Sequence, residues 1–210
     1  MIPEKQRYEN LEKFTPDVVG RYDIPVIRAD KVNFSDLIGF NYAATAKDRA
    51  EKAVHFFLDD YQFFRVWNRP RDYINTLSLF ACVLSPDFSL YTDFPVAMQI
   101  YNHYRKHWLG AYWQSLGIKV IPTVCWSDER SFDWCFDGEP VGGVVAVSSV
   151  GTQNSKAAKA AFLRGYEAMC ERLSPSEIIF YGSVPDECRG NIIHVKSFQD
   201  KFKEARIYGW

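Results

Sequence analysis

Residues 85–95 concentrate two carboxylates and three aliphatic hydroxyls in one short segment, Ser-Pro-Asp-Phe-Ser-Leu-Tyr-Thr-Asp-Phe-Pro. The carboxylates are Asp87 and Asp93, and Ser89 lies between them. Paired carboxylates bind divalent cations or exchange protons with a substrate. Asp93 is close enough to the helix start expected at Pro95 to act as a helix cap, whereas Asp87 has no helix to cap. Asp87 is therefore the stronger candidate for chemistry.

A second carboxylate pair, Asp59-Asp60, follows the apolar run at residues 54–58. Adjacent residues of an extended chain point to opposite sides, so only one of the two is expected to face a site. We assign Asp60 to the site and predict that Asp60, Asp87 and Asp93 form its catalytic set. No cofactor is certain from the sequence, and a divalent metal ion is the cofactor that three carboxylates suggest.

The elements that must position these residues are predicted from alternating apolar runs and longer amphipathic segments. Continuous apolar strands separated by helices are typical of a parallel sheet covered on both faces. Pro122 interrupts one run, which favours a strand end, a bulge or an edge at that point. The predicted strands lie at 54–58, 79–84, 118–125, 144–147, 178–181 and 191–195, and the predicted helices at 95–116, from 154 or 155 to 173, and 197–206.

This pattern predicts an α/β fold with a mostly parallel sheet in a small, irregular, barrel-like arrangement. An open doubly wound sheet is the alternative, because periodicity does not distinguish the two. With no repeat, linker or low-complexity segment, residues 1–210 are expected to form a single domain, with 1–23 as an N-terminal arm.

Ligands of parallel α/β proteins bind beyond the carboxyl ends of the strands, where loops converge. Polar or aromatic side chains that follow the predicted strands are therefore candidate ligand contacts. The backbone N–H groups around Gly151, at a helix start, could hold a phosphate or a carboxylate. Neither a P-loop nor a G-x-G-x-x-G sequence is present. The candidates at strand ends are Ser89, Trp126, Ser148, Thr152 and Tyr181.

Two arginines and a histidine pair are further candidate binding groups. Arg105 lies in an aromatic-rich helix, where it is expected to recognise an anion, stack on an aromatic ring, or pair with a carboxylate such as Asp87 or Asp93. Arg65 belongs to a local basic patch with Arg69 and Arg71 and is a second candidate for anion binding. The pair His103 and His107 has the helical spacing of two metal ligands, but surface or half-buried histidines are the commoner explanation.

Composition limits the classes of function that remain. The chain has 25 Lys and Arg against 26 Asp and Glu, so it lacks the basic footprint of tight, non-specific DNA binding. Its 5 cysteines are widely spaced without a C-x-x-C pair, which favours free thiols in a reducing cytoplasm. No apolar run approaches membrane-spanning length, so we expect no membrane association, and the oligomeric state is not readable.

Several motifs resemble those of an uncharacterised family found in bacteria, phages and mobile elements. They are PDFS at 86–89, YTD at 91–93, YR at 104–105, GAYWQ at 110–114 and VIPT at 120–123. The similarity covers about residues 50–185 and implies a phage or mobile-element context, with work on DNA, nucleotides or host-defence signals. It implies no established activity. Its motifs include Ser89, Arg105 and Gln114, and Gln114 joins the predicted ligand contacts on that ground.

Three functions are consistent with these residues. The first is an enzyme that acts on a nucleotide or nucleic-acid phosphate or glycosidic bond, with Asp87 and Asp60 as metal ligands or acid–base groups. The second is a non-catalytic binder of a small anionic nucleotide or of a protein partner. The third is a DNA-binding replication accessory, against which the near-zero net charge counts.

Overall fold

The computed structural model describes residue 10 and residues 12–200 of the chain. Two short strands near the start form an antiparallel pair, and every later strand pairs in parallel. The strands are β1 Val18–Val19, β2 Ile24–Pro25, β3 Asp36–Gly39, β4 Lys52–His55, β5 Cys82–Leu84, β6 Val120–Ile121, β7 Val144–Ser148, β8 Glu177–Tyr181 and β9 Ile192–Val195, and the α-helices are α1 Arg65–Asn68, α2 Ile74–Leu77, α3 Val96–Ser115 and α4 Lys156–Leu173.

The parallel strands follow one another in sequence order. A four-stranded ladder has the order β3-β4-β5-β6, and a three-stranded ladder has the order β7-β8-β9. An isolated parallel bridge between Thr123 and Ala146 joins the two ladders just after β6. The predicted mostly parallel α/β fold is confirmed. The alternative, a doubly wound sheet, needs a reversal of strand order that the described strands do not show.

Aromatic contacts across the sheet show that it is strongly curved. The rings of His55 and Phe57, at the end of β4, lie 4.6 Å and 5.0 Å from the ring of Tyr181 at the end of β8. These strands are far apart in the hydrogen-bonded order, so the sheet must curl to bring them together. Among the described strands no ladder joins β3 to β9, so the arrangement is barrel-like but open along one side.

Apolar side chains cover both faces of the curved sheet. The concave face is filled by small and branched residues from every parallel strand, including Leu37, Ala53 and Ile179. On the convex face, α3 packs against β5 and β6 through a cluster that includes Trp113, and α4 packs against β7 and β8 through one that includes Phe162. Burial on both faces explains why the strands have continuous rather than alternating apolar sequences.

The two long helices begin and end close to the predicted residues. Helix α3 was predicted at 95–116 and spans Val96–Ser115, with Gly117 at φ 83° directly beyond its end. Helix α4 is capped by Ser155, whose side chain accepts a hydrogen bond from the backbone N–H of Ala158, as one of the two predicted caps. Strand β6 ends at Ile121 because Pro122 has no N–H to continue the ladder, which confirms the predicted interruption.

The described part of the N-terminal arm packs on α3. The Phe14 ring lies 5.6 Å from the rings of both Trp108 and Tyr112, and Glu12 forms an ion pair with Arg71. Residues 1–9 and 11 of the predicted arm lie outside the described residues, as does the part of the predicted last helix beyond residue 200.

Candidate functional site

A pocket of about 1070 Å³ opens at the carboxyl ends of the parallel strands. Its wall takes residues from the carboxyl end of each parallel strand or from the loop that follows it, as expected for a curved parallel sheet. Of the residues predicted from the sequence, the pocket is lined by Asp87, Ser89, Trp126, Ser148, Thr152 and Tyr181. The predicted residues that do not line it are Asp60, Asp93, Arg65, Arg105 and Gln114.

Asp87 is a carboxyl group of this pocket whose pKa is raised by the surrounding protein. Burial raises the pKa of Asp87 to about 6, against the opposing effects of the Lys106 ammonium and a hydrogen bond from the Cys125 thiol. The carboxylate of Asp60 adds a smaller upward effect. Because the pKa lies near neutrality, Asp87 can exist in either protonation state at physiological pH, as a general acid or base requires.

Asp60 holds the neighbouring loop in position instead of lining the pocket. Its carboxylate accepts hydrogen bonds from the Ser89 hydroxyl at 2.8 Å and from the Ser89 backbone N–H at 3.2 Å. The Asn102 amide of α3 donates to the carbonyl of Ser89 at 2.7 Å. These bonds fix the backbone two residues beyond Asp87, so Asp60 supports the site from outside it.

The structure does not bring the three predicted aspartates together in one catalytic set. Asp93 is exposed and lies outside the pocket lining, and the N-cap of α3 makes no side-chain hydrogen bond, so Asp93 does not cap the helix either. Within residue 10 and residues 12–200, no group of three or more His, Cys, Asp or Glu side chains is arranged to hold a metal ion.

Arg105 packs on aromatic rings behind the pocket. Its guanidinium lies 3.9 Å from the centre of the Phe88 ring and 5.1 Å from that of Tyr101, and it donates to Asn102 at 2.6 Å. The stacking that was one of the sequence expectations is therefore observed. No ion pair to Asp87 or Asp93 is present among its described contacts, and Asp60 is the carboxylate whose charge acts on it.

Arg65 and Gln114 lie away from the pocket. Arg65 is exposed and lies 5.5 Å from the ring centre of Phe40. Gln114, near the end of α3, donates to the Arg28 carbonyl at 2.8 Å and to Asp30 at 2.9 Å. Asp30 also accepts from the backbone N–H of Val120, the first residue of β6, so Gln114 lies at the amino ends of the strands.

Two of the predicted aromatic contacts, Trp126 and Tyr181, form parts of the pocket wall. Tyr181 stacks on Phe57, and its hydroxyl accepts a hydrogen bond from the backbone N–H of Phe198 at 3.0 Å. Trp126 lies flat against α4, since a Cβ on Gly165 would be 2.1 Å from the indole nitrogen. Both rings are held in place by the protein, so they form fixed apolar parts of the pocket wall.

The loop after β7 uses most of its polar groups internally. The Ser148 hydroxyl accepts from the backbone N–H of Val150 at 3.2 Å, and the Thr152 hydroxyl donates to the carbonyl of Ser149 at 2.8 Å. Gly151 has φ 79°, and nothing lies within 4 Å of where its Cβ would be. The loop therefore presents an open, preformed backbone turn to the pocket, while its hydroxyls mainly fix its shape.

A buried polar cluster behind the pocket was not identified from the sequence. Lys106 is fully buried on α3, and its ammonium donates to the Thr123 carbonyl at 2.7 Å and to Glu139 at 3.1 Å. The same Glu139 oxygen lies 2.9 Å from the His107 imidazole. The sequence feature that could have indicated this cluster is a lysine within an apolar, aromatic-rich helix. Lysine is almost never fully buried unless it is paired, so a buried lysine implies a buried partner.

The histidines at helical spacing are core residues. Their rings lie 4.3 Å apart, with His103 contacting the Asp137 carbonyl at 3.0 Å and His107 contacting the Pro25 carbonyl at 2.9 Å. Burial lowers the pKa of both imidazoles. The expectation that these two histidines are surface or half-buried residues is wrong, because both are fully buried.

A parallel α/β protein with a ligand pocket at the carboxyl ends of its strands is the class that the fold and the pocket define. Residues 16–199 match a family described as "Domain of unknown function (DUF4417)", and the chain belongs to this family. No helix in the described part of the chain has the length and apolar character needed to cross a bilayer.

Two phage proteins are similar to this chain along most of its length. The Gene 1 protein of Mycobacterium phage L5 is 42% identical over 175 residues, covering 82% of this chain and 76% of that protein. The Gene 1 protein of Mycobacterium phage D29 is 41% identical over 191 residues, covering 88% and 69%. No solved structure matches the chain. The predicted membership of an uncharacterised phage family is confirmed.

Proposed function

We propose that this protein is an enzyme that cleaves a glycosidic bond of a nucleoside, nucleotide or nucleic acid, with Asp87 as its general acid. The observation that carries the proposal is the position of Asp87, a pocket-lining carboxyl group whose pKa burial raises to about 6. A carboxylic acid with a pKa near neutrality is protonated in a fraction of the molecules at neutral pH, and that form can protonate a leaving group, which is the step that glycosidic cleavage needs.

The size and walls of the pocket support a ligand with a planar ring. A volume of about 1070 Å³ is at the upper end of the range of small-molecule sites, so it can hold a nucleotide. Trp126 and Tyr181 are aromatic residues of the pocket lining. Aromatic side chains bind nucleobases by stacking with little dependence on sequence.

The charges of the pocket favour a glycosidic bond over a phosphate as the reacting group. Apart from Asp87, which is protonated before the proposed step, the described residues of the lining include the carboxylates of Asp36 and Asp59 against the ammonium of Lys196. Electrostatic repulsion from this excess of negative charge weakens binding of a free phosphate at the reacting centre. A neutral ribosyl or deoxyribosyl bond meets no such penalty.

The five cysteines support a proposal of where the protein works. None of them forms a disulfide bond. Free, mostly buried thiols are typical of proteins in a reducing compartment, so we place the activity in the cytoplasm of the host cell.

The test is a search for released base. The full-length protein is incubated with nucleosides, nucleotides, single-stranded DNA and RNA, and free bases are measured by liquid chromatography and mass spectrometry. We expect release by the wild type, loss of at least about 100-fold in Asp87→Asn, and retention in Asp93→Asn, because general acid catalysis contributes about 10²–10⁴-fold. Asp93 is the matched control because it is exposed and does not line the pocket.

Other outcomes separate the remaining candidate functions. A ligand that stabilises the protein thermally but is recovered intact would support a non-catalytic binder instead. DNA binding that weakens steeply with salt would support the replication accessory. Equal base release by the wild type and Asp87→Asn would refute the role given to Asp87.

A further inference from the structure

Ser127 lines the pocket with a buried hydroxyl group that has no hydrogen-bond partner among the described residues. The residue is 8% exposed and lies in the loop after β6, between Trp126 and a short 3₁₀ helix, Glu129–Asp133. Buried hydroxyl groups in folded proteins are nearly always hydrogen-bonded, because a hydroxyl removed from water without a partner destabilises the folded state. An unpaired hydroxyl in the wall of a pocket indicates that a ligand supplies its partner.

The backbone of Ser127 is held by hydrogen bonds in which its own hydroxyl group takes no part. The Ser131 hydroxyl accepts from the Ser127 backbone N–H at 3.0 Å and donates to the Asp128 carbonyl at 2.6 Å. An ion pair between Glu129 and Arg164, at 2.7 Å, joins the following 3₁₀ helix to α4. The position of Ser127 is therefore fixed. Its hydroxyl can still rotate about the Cα–Cβ bond towards the pocket without breaking a hydrogen bond.

The pocket wall next to Ser127 suits a flat ring with a polar edge. The Trp126 ring lies 5.3 Å from the ring of Phe162 on α4. The part of α4 that lines the pocket is apolar and consists of Ala158, Ala161 and Phe162. Nucleobases combine a flat ring that stacks on aromatic side chains with an edge of hydrogen-bond donors and acceptors. A serine hydroxyl both donates and accepts, so it can pair with either kind of group.

We propose that Ser127 determines specificity in this pocket: its hydroxyl group forms a hydrogen bond with the edge of the substrate's nucleobase, whose ring packs against Trp126. This inference rests on the proposed function and names the part of the pocket that holds the base. Asp87 carries out the cleavage, and Ser127 binds and orients the base. Two adjacent residues of one loop thus supply the stacking surface and the polar contact.

The first test measures binding of the free bases adenine, guanine, cytosine, thymine and uracil to the full-length protein by ligand-observed NMR. Free bases are products of the proposed cleavage, so they bind without being consumed. We expect at least one of them to bind the wild type, and its dissociation constant to rise about 5–20-fold in Ser127→Ala, as one lost hydrogen bond requires. Ser115→Ala, at the last residue of α3 and outside the pocket lining, is the matched control and should leave the dissociation constant unchanged.

The second measurement separates ligand binding from a structural role. Ser127→Ala removes a buried hydroxyl group that has no partner among the described residues, so the ligand-free variant should melt at the same temperature as the wild type or above it. A hydroxyl that supports the fold gives the opposite result. Ser131→Ala is the comparison, because it removes two hydrogen bonds of a buried serine and should lower the melting temperature by about 2–5 °C.

Three results would overturn the inference. They are a wild type that binds none of the free bases, a base affinity that is equal in the wild type and Ser127→Ala, and a Ser127→Ala protein that is less stable than the wild type. Neither measurement needs turnover, so weaker base binding by Ser127→Ala supports the inference even where no base release is found. Base release by the wild type, with an unchanged base affinity in Ser127→Ala, would refute only the role of Ser127.

Discussion

Replacing Asp87 with Asn should make the protein more stable at neutral pH while it removes the proposed activity. The substitution keeps the size of the side chain and a carbonyl oxygen that can accept hydrogen bonds. It removes the ionisable group that burial disfavours in its charged form. Active sites commonly carry such a cost in stability, because their groups are arranged for chemistry rather than for packing.

The magnitude follows from the difference between the folded and ordinary pKa values of Asp87, about 6 and 3.8. Below pH 3.8 the carboxyl group is protonated in both states and no penalty applies. As the pH rises towards 6, the unfolded state ionises first, so the wild type loses stability; above pH 6 the loss is complete. One pH unit corresponds to about 1.4 kcal/mol, which gives an upper value of about 3 kcal/mol.

Urea denaturation of the wild type and Asp87→Asn at several pH values between 4 and 8 measures this effect. We expect the variant to gain about 1–3 kcal/mol relative to the wild type at pH 7.5, and most of that gain to disappear at pH 4. Asp93→Asn, at an exposed position, should differ from the wild type by less than about 0.5 kcal/mol at every pH. A variant that is less stable than the wild type at pH 7.5 would refute the reasoning.

Two further substitutions test the packing around the site. Glu139→Ala leaves the buried ammonium of Lys106 without its carboxylate and should cost about 3–5 kcal/mol by urea denaturation, whereas Glu187→Ala, in an exposed ion pair, should leave the melting temperature almost unchanged. Equal effects would contradict the role given to the buried pair. Gly165→Ala places a Cβ 2.1 Å from the Trp126 indole nitrogen and should cost about 1–3 kcal/mol, although alanine is normally favoured within helices. A rise in its melting temperature would show that the indole moves freely.

The sequence allowed the fold class and the two long helices to be predicted because both depend on local patterns. Continuous apolar runs indicated strands buried on both faces, and Pro122 indicated where β6 ends. Strand β3, Asp36–Gly39, was missed because four residues with a polar start and a glycine end give too little pattern. The sequence also does not predict that β4 and β8 lie close together, because their distance depends on the curvature of the whole sheet.

The candidate site could be predicted where a residue ends a strand or follows it closely. Tyr181 ends β8 and Asp87 follows β5 closely, and both line the pocket for that reason. Arg105 and Gln114 do not, because they lie on the 20-residue helix α3. Nine residues of helix span about 13 Å, so motifs that are neighbours in sequence reach different ends of the sheet. Lys106 was overlooked because its partner Glu139 is distant in sequence and only the folded chain brings them together.

The bridge between the two ladders is the point at which we expect the sheet to separate during local unfolding. Each half of the sheet has its own apolar cluster on the convex face, and among the described residues the halves are joined by one backbone bridge, between Thr123 and Ala146, and by the apolar cluster of the concave face. Proteins open locally in cooperative units, and we expect the two halves to be such units because few backbone hydrogen bonds join them. Asp87 belongs to one half and Tyr181 to the other. A ligand that contacts both Asp87 and Tyr181 therefore stabilises the association of the two halves. Its binding free energy opposes their separation and is lost when they separate.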